Sequence, residues 1–296
     1  MKRLGKLTAM MLSLAVIMVF GMTSVFAAAD EGEFDWDNNL VIATGTGAGK
    51  ATAPNPGIKR AQAKVAARVV AQRNLAETIN GVAIESLTAV TDSVLDTDAI
   101  KASVSGMVKG ARELKVEYDE YNNCIVTMGV PIFGVTSAAS AVMPKLPQAA
   151  QKESFPAPVP DVVPAPPVTI PGAPTYAENT PQGVAAGNFT GVIIDCRGLG
   201  LRPGMGAVIY NDMGQPIYGY KNLDIDQVIA NGMIGYAYDI ANVSRTGANP
   251  LVIKAVSVKN QFSAVVSSAD ANRILLENER THFLDKTSVV FVRDRY

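Results

Sequence analysis

The chain has 296 residues, with 26 Lys and Arg against 27 Asp and Glu and a single histidine. Its apolar fraction, 48%, is enough for packed cores and excludes a wholly disordered chain. The near-neutral balance excludes a general polyanion binder, which carries a basic domain or stripe, and the two cysteines are too few for a disulfide scaffold.

Residues 1–29 read as a secretory signal. Lys2, Arg3 and Lys6 precede an apolar run from Leu7 to Phe20, and small residues at Val25, Ala27 and Ala29 offer cleavage sites. The run is shorter than the roughly 20 apolar residues of a membrane span. Removing the signal leaves 23 basic and 27 acidic residues. No later segment is long and apolar enough to span a bilayer, so the expected compartment is the periplasm or cell envelope.

Residues 38–143 form a first domain. Leu40–Ala43 reads as a short strand, followed by a glycine-rich loop. A helix is expected from Ile58 to Ile79, with Ile58, Ala61, Val65, Val69, Ala76 and Ile79 as its inward stripe. Asn80-Gly81 reads as its stop, and Val82–Val90 as a strand. Asp96–Lys109 reads as a second helix. Leu114–Tyr118 and Cys124–Val130 alternate as the two strands of a hairpin about Tyr121-Asn122-Asn123.

Eleven of the 17 prolines fall in residues 144–187. Proline fixes φ and donates no backbone hydrogen bond, so this segment reads as a polyproline-like spacer that sets the distance between two docking domains.

Residues 188–296 form a second domain. Gly191–Ile194 and Ser288–Val292 read as buried strands. Asp212-Met213-Gly214 marks a hairpin turn, Asp224 caps a short helix, Leu251–Val258 and Phe262–Val266 are strands, and Ser267 or Ser268 caps a helix to about Glu279. Both domains are α+β, with helices packed on mostly antiparallel sheets.

Gly45-Thr46-Gly47-Ala48-Gly49-Lys50 invites a phosphate-loop reading, but Thr44 stands where the first glycine belongs and Ala51 where Ser or Thr must hold magnesium. A strand-end loop is expected instead. Arg60, Lys64 and Arg68 repeat every four residues and line one helix face. They are candidates for contact with an acidic partner, or a solvated face. Asp195-Cys196-Arg197-Gly198-Leu199-Gly200-Leu201-Arg202 is the densest unusual stretch. Its glycine amides with Arg197 and Arg202 can hold a carboxylate or phosphate, which makes Asp195, Arg197, Gly198, Gly200 and Arg202 candidate ligand residues. The alternative is tight turns with Asp195 paired to Arg197 or Arg202. Cys196 and His282 form only a nominal nucleophile set, and Asp224 with Asp226 is too few for calcium. No catalytic residue, metal site or cofactor is expected, and no nucleic-acid partner.

Four segments carry a family resemblance: Ala61–Arg68, Arg73–Val82, Val108–Ala111 and Cys124–Pro131. Together they resemble the twenty-kilodalton outer-membrane lipoprotein family and the N-terminal domain of flagellar assembly protein T, a periplasmic ring component of the flagellar base. The resemblance covers residues 40–134. It implies a non-enzymatic envelope protein that works by protein–protein contact, with flagellar basal-body proteins as partners and no catalytic residues to carry over. No lipobox cysteine is present near the signal.

Overall fold

The computed structural model describes residues 32–89, 94–146, 152–158, 187–241 and 243–295. The signal segment and most of the proline-rich segment lie outside the described residues.

The first unit is one four-stranded antiparallel sheet, ordered β1-β2-β4-β3, with helices on one face. Its strands are β1 (Glu33–Asp35), β2 (Leu40–Gly47), β3 (Arg112–Tyr118) and β4 (Cys124–Pro131). Helix α1 (Pro56–Thr88) crosses the sheet, and α2 (Thr97–Met107) and α3 (Ala138–Val142) complete the layer. The β3–β4 hairpin turns at Asn122, which adopts φ 63°.

Helix α1 departs from expectation in two ways. Asn55 caps it, its Oδ1 accepting from Ile58 N at 2.9 Å, and Pro56 opens it where its missing N–H costs nothing. Of the expected stripe Ile79 is buried, but along the first half of the helix the inward face is Ala63, Ala67 and Ala71, not Ile58, Ala61, Val65 and Val69. Val65 is 65% exposed and Val69 60%. The glycines of β2 decide this. A Cβ on Gly45 would lie 2.2 Å from Ala71 N, and one on Gly47 2.2 Å from Ala67 N. Two strand residues rise about 6.7 Å and four helix residues about 6.0 Å. Glycine every second residue therefore stays in step with alanine every fourth, and only small residues permit so close an approach. The expected strand-end loop is thus partly strand: Gly45 and Gly47 belong to β2.

The second departure is the helix end. Asn80-Gly81 does not stop α1, and the expected strand at Val82–Val90 is helix through Thr88. A side chain at Gly81 would meet nothing within 4 Å, so the glycine lies on an open face at only a modest propensity cost. Burial of Ala83, Ser86 and Leu87 holds the last turns.

The second unit contains two sheets. One is parallel throughout, ordered β8-β12-β5-β9, from β5 (Gly191–Asp195), β8 (Gly235–Ala237), β9 (Pro250–Lys254) and β12 (Val289–Val292). The other is mixed, ordered β10-β11-β6-β7, from β6 (Ile209–Asn211), β7 (Pro216–Tyr218), β10 (Ser257–Lys259) and β11 (Ser263–Val266). Helices α4 (Ile225–Asn231) and α5 (Ser268–Thr281) join them. Asp224 caps α4 through the amides of Asp226 and Gln227, and Ser267 caps α5 through Asp270 N. The expected single strand Leu251–Val258 breaks at Ala255-Val256, so that its halves enter different sheets. The class is α+β, and among the described residues five of the nine strand pairings are antiparallel.

The two units share one continuous apolar cluster. Ser86 Oγ near the end of α1 accepts from Met205 N at 3.2 Å, and Asn260 Nδ2 donates to Ala89 O. Trp36 packs between Phe34 at 5.1 Å and Tyr236 at 5.2 Å. The spacer expected over residues 144–187 lies mostly outside the described residues. Its described piece, residues 152–158, lies on the second unit: Phe155 stacks at 6.2 Å on Tyr218, and Lys152 pairs with Asp285 at 2.7 Å. Among the described residues, no helix is long and apolar enough to cross a membrane.

Candidate functional site

The loop 195–206 leaves the carboxyl end of β5, where ligands of open parallel sheets bind. Backbone bonds draw three strand ends together there. Cys196 N donates to Val292 O at 2.8 Å, and Arg293 N donates to Ala237 O at 2.9 Å. Gly198 and Gly200 have φ of 78° and 69°, a region other residues rarely enter.

The candidate ligand residues are gathered but already engaged. Asp195 is buried and takes a forked pair from Arg197: Nε to Oδ1 at 2.8 Å and a terminal nitrogen to Oδ2 at 2.7 Å. The Gly198 amide donates to Asp294 Oδ2 at 2.7 Å. Arg202 points elsewhere, donating to Gln261 Oε1 at 3.0 Å and Glu85 Oε1 at 3.3 Å, above the Phe262 ring. It therefore ties the loop to α1. The turn-and-ion-pair alternative describes this geometry.

The basic row on α1 also has internal partners. Lys64 and Arg68 flank Glu113 of β3 at 2.8 and 2.9 Å. Arg60 donates to Asn122 Oδ1 at 2.7 Å and lies over the Tyr118 ring. The Lys64 ammonium, bonded to the carboxylate, holds Glu113 below the usual glutamate range, with Arg68 adding to it and partial burial opposing it.

Cys196 and His282 do not form a site. Cys196 is buried at the carboxyl end of β5, and burial pushes its thiol up, away from the reactive thiolate. His282 is exposed at the C-cap of α5, before the turn into the amino end of β12, with Nδ1 3.6 Å from Asp285 Oδ2. The parallel pairing of β5 with β12 puts the two at opposite ends of the sheet. Among the described residues, no three His, Cys, Asp or Glu side chains are grouped to hold a metal ion. Cys124 and Cys196 are both free and buried.

Sequence reasoning missed Arg293 and Arg295, which follow β12 and lie over Tyr238, the residue after β8, at the same end of the sheet. A signal was available. Arg293-Asp294-Arg295 directly follows a fully buried strand, and charges at such a position stand at the sheet's carboxyl edge.

The chain matches no curated protein. Residues 191–295, which hold the parallel sheet and the loop after β5, match the family described as the second domain of Treponema pallidum Tp0624.

Proposed function

We propose that this is a non-enzymatic protein exported to the bacterial cell envelope, where it acts through protein–protein contacts in assembly of, or association with, the flagellar basal body. The supporting observation is the outer face of α1. Ile58, Val65 and Val69 are 40%, 65% and 60% exposed, and a spacing of seven and then four residues puts them on one stripe about 17 Å long. Single exposed apolar residues need no explanation. An apolar stripe on the outer face of a helix whose other face is buried is a surface for a partner. Lys64 and Arg68 lie beside it, Arg60 lies further round the helix, and all three are held by Glu113 or Asn122, so they border the contact rather than make it.

In-cell crosslinking and pull-down of the tagged protein tests this reading, with Val65→Lys/Val69→Lys as the comparison. The expected result is recovery of basal-body proteins with the parent chain and their loss with the variant, at unchanged thermal stability. Recovery that is indifferent to the variant removes α1 as the contact, and recovery of no envelope protein overturns the proposal.

A second reading is a periplasmic ligand-binding module on loop 195–206. It draws on one feature: the Gly198 amide already holds a carboxylate, that of Asp294. An external anion has to displace it. Asp294→Asn is therefore expected to raise the thermal stabilisation given by phosphate or citrate, and no anion effect in either protein sinks this reading.

A further inference from the structure

We propose a second site, beside loop 195–206 but lined by other residues: a cleft between the two units that takes a short zwitterionic peptide by its free ends. The cleft has a volume of about 710 Å³ and is lined by Glu33, Phe34, Asp37, Tyr238, Arg293 and Arg295. Small-molecule sites span roughly 300–1,000 Å³. One wall comes from β1 and the turn after it. The other comes from the carboxyl ends of β8 and β12.

The second wall is cationic and ordered. Arg293 is 9% exposed. Its backbone N–H is fixed to Ala237 O, and a terminal nitrogen donates to Tyr238 Oη at 2.9 Å. Arg293 and Arg295 both lie over the Tyr238 ring, at 4.8 and 4.9 Å from its centroid. Two guanidinium groups sharing one ring repel each other, and a carboxylate that accepts from a planar fork relieves that repulsion. The first wall is anionic, with Glu33 and Asp37 both exposed.

These opposite charges line one cleft without closing on each other. Among the described residues, Glu33, Asp37 and Arg295 form no ion pair. A ligand whose carboxylate meets the arginines and whose ammonium meets Glu33 and Asp37 spans the gap, with Phe34 against its backbone or side chains. A single-charge ligand satisfies only one wall. Because the walls belong to different units, occupancy also stabilises their docked arrangement by mass action.

Titration calorimetry on the purified exported protein tests the site, with tetra-alanine as probe beside its N-acetylated and C-amidated forms. Tetra-alanine is expected to bind, and blocking either end to weaken it by about tenfold or more, the scale of one lost charge-assisted contact. Arg295→Ala and Asp37→Asn are expected to weaken it to a similar degree, and each to flatten the response to the end block on its own side. Both side chains are exposed, so both variants are expected to melt with the parent. No binding below about 5 mM, a Kd corresponding to little over 3 kcal/mol, overturns the proposal. So do blocked peptides that bind as well as the free one, or binding indifferent to both variants.

Discussion

Gly47 of β2 lies directly beneath Ala67 of α1, so close that a Cβ on the glycine would stand 2.2 Å from the Ala67 nitrogen and 2.4 Å from Ala63 O. Both obstacles are backbone, and neither can swing aside. Gly47→Ala must therefore lift the helix from the sheet, and is expected to cost about 3 kcal/mol or more, read as a lower urea midpoint.

Gly81 provides the opposite case within the same helix. It is helical, with open space where a Cβ would go. Gly81→Ala is expected to stabilise by about 0.5–1 kcal/mol, the propensity difference between the two residues. The same denaturation assay reads both variants, and a loss at Gly81 contradicts continuous helix through this position.

Ser86 carries one of the contacts between the units. Its hydroxyl donates to Val82 O at 2.7 Å and accepts from the buried Met205 amide at 3.2 Å. Ser86→Ala leaves that amide without its partner, at an expected cost of about 1–3 kcal/mol. Calorimetry is expected to give one unfolding transition for the parent chain, as a shared core requires. Two separate transitions in the parent contradict the shared core.

Arg245 is a half-buried cation that meets carbonyls. Its guanidinium donates to Thr287 O at 2.7 Å, Asn231 O at 2.6 Å and Gly232 O at 2.5 Å. Arg245→Met strands all three acceptors and is expected to cost about 3 kcal/mol or more. Arg245→Lys, a point donor without the fork, is expected to recover only part of that loss. Hydrogen exchange in α4 reports where the damage lies.

Glu113 sets a pH dependence. Lys64 depresses its folded pKa below the ordinary value of 4.5, assisted by Arg68. A depressed carboxylate contributes stability that is present above the unfolded pKa and is lost as pH falls through the folded one. Glu113→Gln is therefore expected to lower the urea midpoint at pH 7 and to match the parent in stronger acid. A difference between the two that persists unchanged into strong acid contradicts the assignment to charge.

The hairpin β3–β4, the caps at Asp224 and Ser267 and the buried runs of β5 and β12 were legible because each depends on its own few residues. The face of α1 was not. Ile58, Val65 and Val69 carry more hydrophobicity than Ala63, Ala67 and Ala71, and hydropathy alone chooses the larger side chains. The deciding residues, Gly45 and Gly47, sit some twenty residues earlier and act by being absent in volume. The same two glycines suggested a nucleotide loop, whereas their role is steric. The run beyond Asn80-Gly81 misled because local stop signals yielded to burial of Ala83, Ser86 and Leu87. The strand ending at Val258 misled because a sheet change at Ala255 leaves apolar alternation intact. At the candidate site, the sequence left Arg197 and Arg202 both open as partners of Asp195, and the structure selects Arg197; nothing in the sequence signalled that Asp294, ninety-six residues beyond Gly198, closes the loop.

Helix α1 has 33 residues, about 50 Å at 1.5 Å per residue, and it is gripped near both ends. The alanine–glycine seam holds the first half to the antiparallel sheet, and Ser86 with Glu85 holds the last turns to the loop after β5. It acts as a rigid beam between two anchorages. A tilt imposed on the first unit is carried to the loop that holds Arg202, and the two units can swing independently only if the Ser86 and Glu85 contacts break together with those of Trp36 on Tyr236 and Gly134 N on Ile229 O.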